Sequence, residues 1–168
     1  MKKIILVFIL LLPNLSHAQT DYSNDVKSVD AIIAALYDVI SGEAGKARDW
    51  KRFKNLFTAD ARLIPTRKND EGKLIYRVIT PDEYVQMFNS RIATGFFERE
   101  LHREAEDFGT IIHAFSTYET KEKKDGPITN RGINSIQIFY DGSRYYVMHV
   151  FWCAESLGFT LPEKYLSK

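Results

Sequence analysis

The chain has 168 residues, a length suited to one domain with a single hydrophobic core. Its 23 basic and 22 acidic residues nearly cancel, so charge indicates neither a nucleic acid nor a membrane surface as partner. The single cysteine, Cys153, excludes an internal disulfide, and the fold must therefore be held by packing.

The N-terminal residues have the three-part layout of a secretory signal peptide. Lys2 and Lys3 precede the apolar run 4–12, and Ser16 and Ala18 place small residues three and one positions before a cleavage site. The run is about half as long as the roughly twenty residues of a membrane span. We therefore predict a signal peptide over 1–18 and a mature single domain over 19–168, exported to the periplasm or secreted, with no membrane anchor.

Three helices are predicted in the N-terminal half. Apolar residues recur at the spacing of one helical face over 26–40, a second short helix is predicted over 49–57, and a third runs over 80–94 from a threonine-proline start. Between the second and third, residues 59–64 predict a short strand that Pro65 should end. Residues 67–72, which are polar and charged, are predicted to form a loop.

Beyond Gly95 the apolar pattern changes to the period of a strand. Four stretches rich in aromatic and β-branched residues are separated by short polar connections, over 97–108, 110–121, 130–140 and 144–154. Helices followed by a meander of strands are typical of an α+β domain. We predict a cone-shaped, curved antiparallel sheet wrapped around the three N-terminal helices.

Two segments resemble the nuclear transport factor 2-like (SnoaL-like) superfamily. Trp50 to Ile64 resembles its "tryptophan, leucine-phenylalanine, aspartate-alanine" segment, and 141–152 resembles its closing strand, with Tyr145 and Tyr146 in place of the usual tryptophan and arginine. A secreted bacterial subgroup is resembled more closely, through residues 97–100, 108–109, 114–119, 131–137 and 162–166. The resemblance covers about residues 25–166. It implies the fold but not the chemistry, because the superfamily contains isomerases, dehydratases, epoxide hydrolases, cyclases and plain binding domains.

The Asp-Gly pair at 141–142 favours a two-residue hairpin turn, and this predicts the register of the last two strands. It places Asn134 opposite His149 on an apolar face turned to the helices. The opposite face is then an apolar row that the resemblance implies to be a homodimer interface, formed by Tyr146, Met148, Val150 and Trp152. Alternatively, a bulge shifts the pairing and removes His149 from Asn134, while the same alternate residues keep sharing a side.

The candidate ligand-binding residues are few and dispersed in the sequence: Asn134, His149, Arg62, His113, Tyr37 and Trp50. His149 can serve as an acid or base near neutral pH, or it can be a buried histidine bonded to Asn134. His113 points either into the pocket or outward, and Arg62 is either an anion anchor or the partner of an acid. Tyr37 and Trp50 are core residues by default. No spacing of histidines and acids predicts a metal site, and no motif predicts a cofactor.

These features predict a secreted or periplasmic domain that binds a small, partly apolar molecule. The first alternative is a cofactor-independent isomerase, dehydratase or hydrolase that uses His149 as acid and base. The second is a homodimeric interaction module. Whether the protein is an enzyme is left open at this stage.

Overall fold

The computed structural model describes residues 21–89 and 92–166. The predicted signal peptide and the predicted mature start at Gln19 lie outside the described residues. Within the described part of the chain, no helix has the length and apolar character to cross a membrane.

Three α-helices precede most of a six-stranded sheet. The helices are α1 (Val29–Ile40), α2 (Trp50–Asn55) and α3 (Pro81–Asn89). The strands are β1 (Phe57–Lys68), β2 (Leu74–Tyr76), β3 (Phe97–Phe108), β4 (Ile111–Lys121), β5 (Ile128–Tyr140) and β6 (Tyr145–Ala154). The sheet order is β2-β1-β6-β5-β4-β3, and every neighbouring pair is antiparallel except β1 and β6. The predicted α+β class with a curved sheet over three helices is confirmed, with a mixed rather than a fully antiparallel sheet.

Polar side chains at the helix starts explain where the helices begin. Ser28 Oγ accepts from the backbone N–H of Ala31 at 3.1 Å, and Asp49 Oδ1 accepts from that of Arg52 at 2.9 Å. At α3, Thr80 and Glu83 bond each other's backbone N–H groups in a capping box. The starts of α2 and α3 were predicted from these residue types, whereas α1 was predicted from the spacing of its apolar residues.

The first strand is longer than predicted because Pro65 does not end it. The Pro65 carbonyl accepts from the backbone N–H of Arg77 at 3.1 Å, so the proline removes one donor from the ladder but keeps its acceptor. Beyond it, β1 and β2 form a hairpin in which Asn69 Oδ1 accepts from the N–H of Lys73 at 2.8 Å. The predicted loop over 67–72 therefore contains the end of β1 and the turn to an unpredicted β2.

The core lies between the helices and one end of the inner sheet face. Its fully buried members include Phe53, Ile32, Ile33, Leu56, Ile136, Ile138 and Val147. Aromatic rings extend this core, since Phe53 stacks on Tyr84 at 5.3 Å between centroids and Phe88 meets Phe96 edge-on at 5.3 Å. Burial of a side chain such as Phe53 contributes about 2 to 3 kcal/mol to stability. The other end of the inner face is not filled, and it forms a cavity.

The turn between β5 and β6 differs from the predicted one. The carboxylate of Asp141 accepts from the N–H groups of Ser143 and Arg144, at 2.7 and 2.8 Å, so Asp141 occupies the first position of the turn and not a central one. Gly142 then takes the position with positive φ, at 97°. The pairing of the two strands consequently starts with Tyr140 opposite Tyr145.

A bulge in β6 shifts the pairing again. Ile138 lies opposite Val147 but Gln137 lies opposite His149, so Met148 is the extra residue. One extra residue reverses the side on which every later side chain of β6 points. The predicted pair of Asn134 and His149 is therefore wrong, because Asn134 lies opposite Trp152. The expectation that a bulge leaves the sides unchanged is wrong for the same reason.

Because of the bulge, the predicted outer row of Tyr146, Met148, Val150 and Trp152 is wrong. Val150 is buried, and Val150 and Trp152 line the cavity on the inner face. The outer face of β6 is formed instead by Tyr146 before the bulge and by His149, Phe151 and Cys153 after it.

Candidate functional site

The unfilled end of the sheet encloses a cavity of about 620 Å³ between the inner sheet face and the helices α1 and α3. This volume lies in the range of small-molecule sites. Its walls are mainly apolar, and they include Leu36, Ile40, Phe53, Leu63, Ile79, Met87, Phe88, Phe96, Val150, Trp152 and Leu157. Its polar lining residues are Tyr37, Thr66, Arg67, Arg77, Tyr84, Glu98, Tyr118, Thr120, Asn130, Asn134 and Ser156.

Strand alternation explains which side chains reach the cavity. On β6 the lining residues Val150, Trp152 and Ala154 are alternate positions, and on β4 they are Tyr118 and Thr120. The curvature of the sheet brings these inward-facing positions together over the helices. The strand geometry produces the alternation, but the bulge at Met148 determines which alternate residues of β6 face the cavity beyond it.

Gly132 makes room for Tyr118 on the cavity wall. A Cβ atom at Gly132 would lie 2.6 Å from the Tyr118 hydroxyl and 2.3 Å from the Cys153 carbonyl oxygen. Both distances are below any ordinary contact, so only glycine fits here. The hydroxyl end of Tyr118 therefore lies over Gly132, in space that a side chain at position 132 would fill.

A chain of hydrogen bonds runs from the cavity wall to the protein surface. Asn134 Nδ2 donates to the hydroxyl of Tyr37 at 3.0 Å, and that hydroxyl lies 2.7 Å from Ser116 Oγ. Ser116 in turn donates to a Glu100 carboxylate oxygen at 2.5 Å. Because the Ser116 proton is used by Glu100, Tyr37 must donate to Ser116. The chain thus has one direction, from Asn134 outward to Glu100.

Glu98 places a carboxyl group on the cavity wall beside this chain. Its Oε1 accepts a long hydrogen bond of 3.4 Å from Asn134 Nδ2. Burial raises the pKa of the Glu98 carboxyl group to about 8, and the bond from Asn134 only partly offsets this. At pH 7 the carboxyl group is largely protonated, so it can donate a hydrogen bond as well as accept one.

The same burial affects the two tyrosines next to Glu98. Removal from water raises the pKa of Tyr37 and of Tyr118, and the charge of Glu98 adds to the increase in both. Both phenols therefore stay neutral at any physiological pH. They can act as hydrogen-bond groups on the cavity wall but not as bases.

Two of the six predicted site residues line the cavity. Tyr37 and Asn134 both do, and they are bonded to each other. Trp50 packs beside the cavity rather than on its wall: its Nε1 donates to Asn89 Oδ1 at 3.0 Å and its ring meets Phe53 and Phe88 edge-on. The role of these residues in ligand binding stays a prediction.

The other three predicted residues lie outside the cavity wall. His149 is exposed on the outer face, opposite Gln137, and the bulge is the reason. His113 is also exposed, and its Nε2 lies 3.1 Å from Ser135 Oγ. Arg62 donates to the backbone carbonyls of Asp60 and Ala61, at 2.6 and 2.8 Å. None of these side chains contacts the group formed by Glu98, Asn134 and Tyr37.

Sequence reasoning missed Glu98, Tyr118 and the arginines Arg67 and Arg77. A signal for Glu98 was present, since it alternates with the aromatic Phe96 at the start of a strand, and an acid on an apolar face is unusual. No local pattern indicated the other three. Among the described residues, no cluster of histidine, cysteine and acids could hold a metal ion.

Comparison with known proteins supports the fold. No protein-family model matches the sequence, and no curated protein matches it significantly. Solved structures do match. A protein with a cystatin-like fold from Nostoc punctiforme gives a TM-score of 0.56 at 12% identity, covering 75% of this chain and 87% of the other. The yeast UBP3-associated protein BRE5 gives 0.52 at 10% identity, covering 74% and 92%.

An NTF-2-like protein from Silicibacter pomeroyi matches with a TM-score of 0.48 at 14% identity, covering 74% of this chain and 91% of the other. At such identities the likeness concerns the fold alone. The predicted fold, a curved sheet over helices, is confirmed by the likeness to the two structures with TM-scores of 0.56 and 0.52, and the secreted subgroup stays a prediction.

Proposed function

We propose that this protein binds a small, largely apolar molecule in the cavity. The observation that carries the proposal is the convergence of Glu98, Asn134 and Tyr37 on a cavity of about 620 Å³ whose other walls are mostly apolar. The apolar walls favour a hydrocarbon body. The protonated carboxyl of Glu98 favours a hydrogen-bond acceptor, such as a hydroxyl or carbonyl oxygen, at its inner end.

A fluorescence titration tests this proposal. N-phenyl-1-naphthylamine, an uncharged apolar probe, should brighten on binding to the wild-type protein. Ala154→Phe fills the wall of the cavity and should weaken probe binding, whereas the control Gln137→Phe adds the same ring to the exposed outer face of β5 and should not. Equal probe binding by all three proteins, or none by the folded wild type, would refute the cavity as the binding site.

A second candidate is an acid–base enzyme that uses Glu98 in place of the predicted His149. The supporting observation is that burial brings the pKa of Glu98 to about 8, close to the operating range of a general base. A ketone that enters the cavity would then lose an α-proton to the carboxylate. Wild-type protein in D₂O at pH 9 should accelerate α-proton exchange of 2-decanone, followed by NMR, and Glu98→Gln should not. A rate equal to that of buffer would leave binding as the function.

We also propose that the domain pairs with a second copy through the outer faces of β5 and β6. The outward side chains in the middle of these strands are uncharged, and they include Ser135, Gln137, Phe139, Tyr146, Phe151 and Cys153. At one end of the face, the charge of Arg131 is paired with Glu155 at 2.8 Å. Phe151 is 46% exposed in the middle of this face. Two copies can meet here without repulsion between like charges, and burial of Phe151 supplies part of the driving force.

Export of the mature domain remains a proposal based on the N-terminal sequence. The intact mass of the protein recovered outside the cytoplasm should correspond to a chain that starts at Gln19. A mass that includes Met1 to Ala18 would contradict it.

A further inference from the structure

One wall of the cavity runs from the core to solvent along β1. Leu63, Pro65 and Arg67 are alternate residues of that strand, and all three line the cavity. Leu63 is buried and Arg67 is exposed, and the two Cα atoms are separated by about 13 Å of extended strand. An apolar wall therefore ends at a guanidinium group in the mouth of the cavity.

A second arginine lies beside the first. The backbone N–H of Arg77 donates to the Pro65 carbonyl, which places Arg77 across from the same stretch of β1, and its side chain lines the cavity. Arg77 is also exposed. The mouth thus carries two cationic side chains that are open to water and to an entering ligand.

These two arginines differ from the other arginines of the described chain. Neither Arg67 nor Arg77 has a side-chain hydrogen bond or ion pair with any described residue. Each of the other described arginines bonds at least one backbone or carboxylate oxygen or an amide oxygen: Arg48, Arg52, Arg62, Arg99, Arg103, Arg131 and Arg144. Among the described arginines, the two whose guanidinium groups are wholly unpaired therefore both lie at the cavity mouth.

The acids near the mouth do not neutralise it. Glu98 is the one acid among the described residues that line the cavity, and it lies deeper and is largely protonated at pH 7. Hydrogen bonds from Thr80 lower the pKa of Glu83, and the charge of Arg77 contributes to this lowering. The Glu83 carboxylate accepts these hydrogen bonds from the backbone N–H and the hydroxyl of Thr80, at 2.7 and 3.0 Å, and it therefore belongs to the cap of α3. The lining of the cavity consequently carries a net positive charge at its entrance.

We infer that the ligand is an amphiphile with one anionic head group, held at the mouth by Arg67 and Arg77 while its apolar body fills the cavity. Guanidinium groups bind carboxylate, sulfate and phosphate oxygens with paired hydrogen bonds, and each such bond is stronger than a neutral one. The inference rests on the proposed binding function. It adds to that proposal the charge of the ligand's head group and the orientation of the ligand, with the head group at the mouth.

A matched pair of ligands tests the inference by displacement of bound N-phenyl-1-naphthylamine. We would use 10-hydroxydecanoate and 1,10-decanediol, which share chain length and the inner hydroxyl and differ in the group at one end. The wild-type protein should bind the carboxylate at least about tenfold more tightly than the diol, a ratio in line with a charge-assisted hydrogen bond. Raising the salt concentration should reduce this ratio.

Variants then assign the effect to the two arginines. Arg67→Gln with Arg77→Gln should remove the preference for the carboxylate, so that the ratio of carboxylate to diol affinity falls to about one. The control Arg62→Gln changes an arginine of the same strand that lies off the cavity wall and should keep the preference. Equal affinity for carboxylate and diol in the wild type, or a preference that survives the double substitution, would overturn the inference while probe binding still supports the cavity. Loss of probe binding by the folded wild type would instead overturn the proposed function itself.

Discussion

The side-chain amide of Asn134 donates to the hydroxyl of Tyr37 at 3.0 Å and joins the centre of β5 to the last turn of α1. Both groups are buried, and the tyrosine hydroxyl in turn donates a hydrogen bond to Ser116 Oγ. This bond takes the place of the predicted contact between Asn134 and His149. It makes Asn134 part of the cavity wall and leaves His149 free of it.

A double-mutant cycle should detect this bond. Asn134→Ala and Tyr37→Phe should each cost roughly 1 to 3 kcal/mol of unfolding free energy, because each leaves a buried polar partner unmatched. The two changes together should cost less than their sum by about 0.5 kcal/mol or more. Urea unfolding followed by circular dichroism measures all four proteins.

The matched cycle uses His149→Gln. Since His149 is exposed, this change should cost less than about 0.5 kcal/mol and should add simply to Asn134→Ala. Coupling between Asn134 and His149 would contradict the observed register of β5 and β6.

Glu98 should make stability fall as the pH rises. Its ordinary pKa of 4.5 is raised to about 8 in the folded protein, so the folded state binds a proton that the unfolded state has lost between these two values. Stability from this group is complete below pH 4.5 and is lost as the pH passes 8. Glu98→Gln removes this titration, so its stability relative to the wild type should rise by roughly 4 to 5 kcal/mol between pH 4 and pH 9.

Thermal or urea unfolding across this pH range measures the effect. Glu106→Gln is the control, because Glu106 is exposed on the same strand, β3. It should follow the wild-type curve. A Glu98→Gln curve parallel to wild type at every pH would show that the carboxyl group is hydrated in the folded state.

Gly132→Ala should both destabilise the fold and narrow the cavity. The new Cβ would lie 2.3 Å from the Cys153 carbonyl and 2.6 Å from the Tyr118 hydroxyl, so the strands must separate or Tyr118 must move into the cavity. We expect a loss of roughly 2 kcal/mol or more and weaker binding of the fluorescent probe. Gly126→Ala is the control, because its nearest contact is 3.2 Å and the expected cost is about 1 kcal/mol or less. Wild-type stability of the Gly132 variant would be inconsistent with the close contact.

Two adjacent residues of β6 should respond in opposite ways to a new charge. Phe151→Glu lies on the outer face and should give a folded monomer where the wild type sediments as a dimer at tens of micromolar, roughly the range in which a standard interface holds. Val150→Glu places an unpaired carboxylate on the inner face and should prevent folding or cost on the order of 3 kcal/mol. Sedimentation velocity and circular dichroism measure both. A monomeric wild type would contradict the dimer, and a soluble, stable Val150→Glu protein would contradict the bulge.

The sequence by itself determined the elements of this protein. Caps such as Ser28 and Asp49 and the change of apolar period beyond Gly95 are local features, so the three helices and the four long strands could be located without knowledge of the fold. The resemblance to known segments correctly supplied the way in which they pack. Tyr37 and Asn134 could be placed on the inner face because strand and helix periodicity apply within each element.

Only the tertiary structure decided which residues meet in the cavity. The hydrogen bonds of the Asp141 side chain place the hairpin turn one residue later than predicted, and the bulge at Met148 reverses the sides of the β6 residues that follow it. As a result, His149 lies outside the cavity and Trp152 lines it. A single extra residue in a strand leaves almost no local trace but reverses every side chain that follows it. The burial of Glu98 and the lack of a side-chain partner for Arg67 also depend on the tertiary structure, because both are determined by neighbours that are distant in sequence.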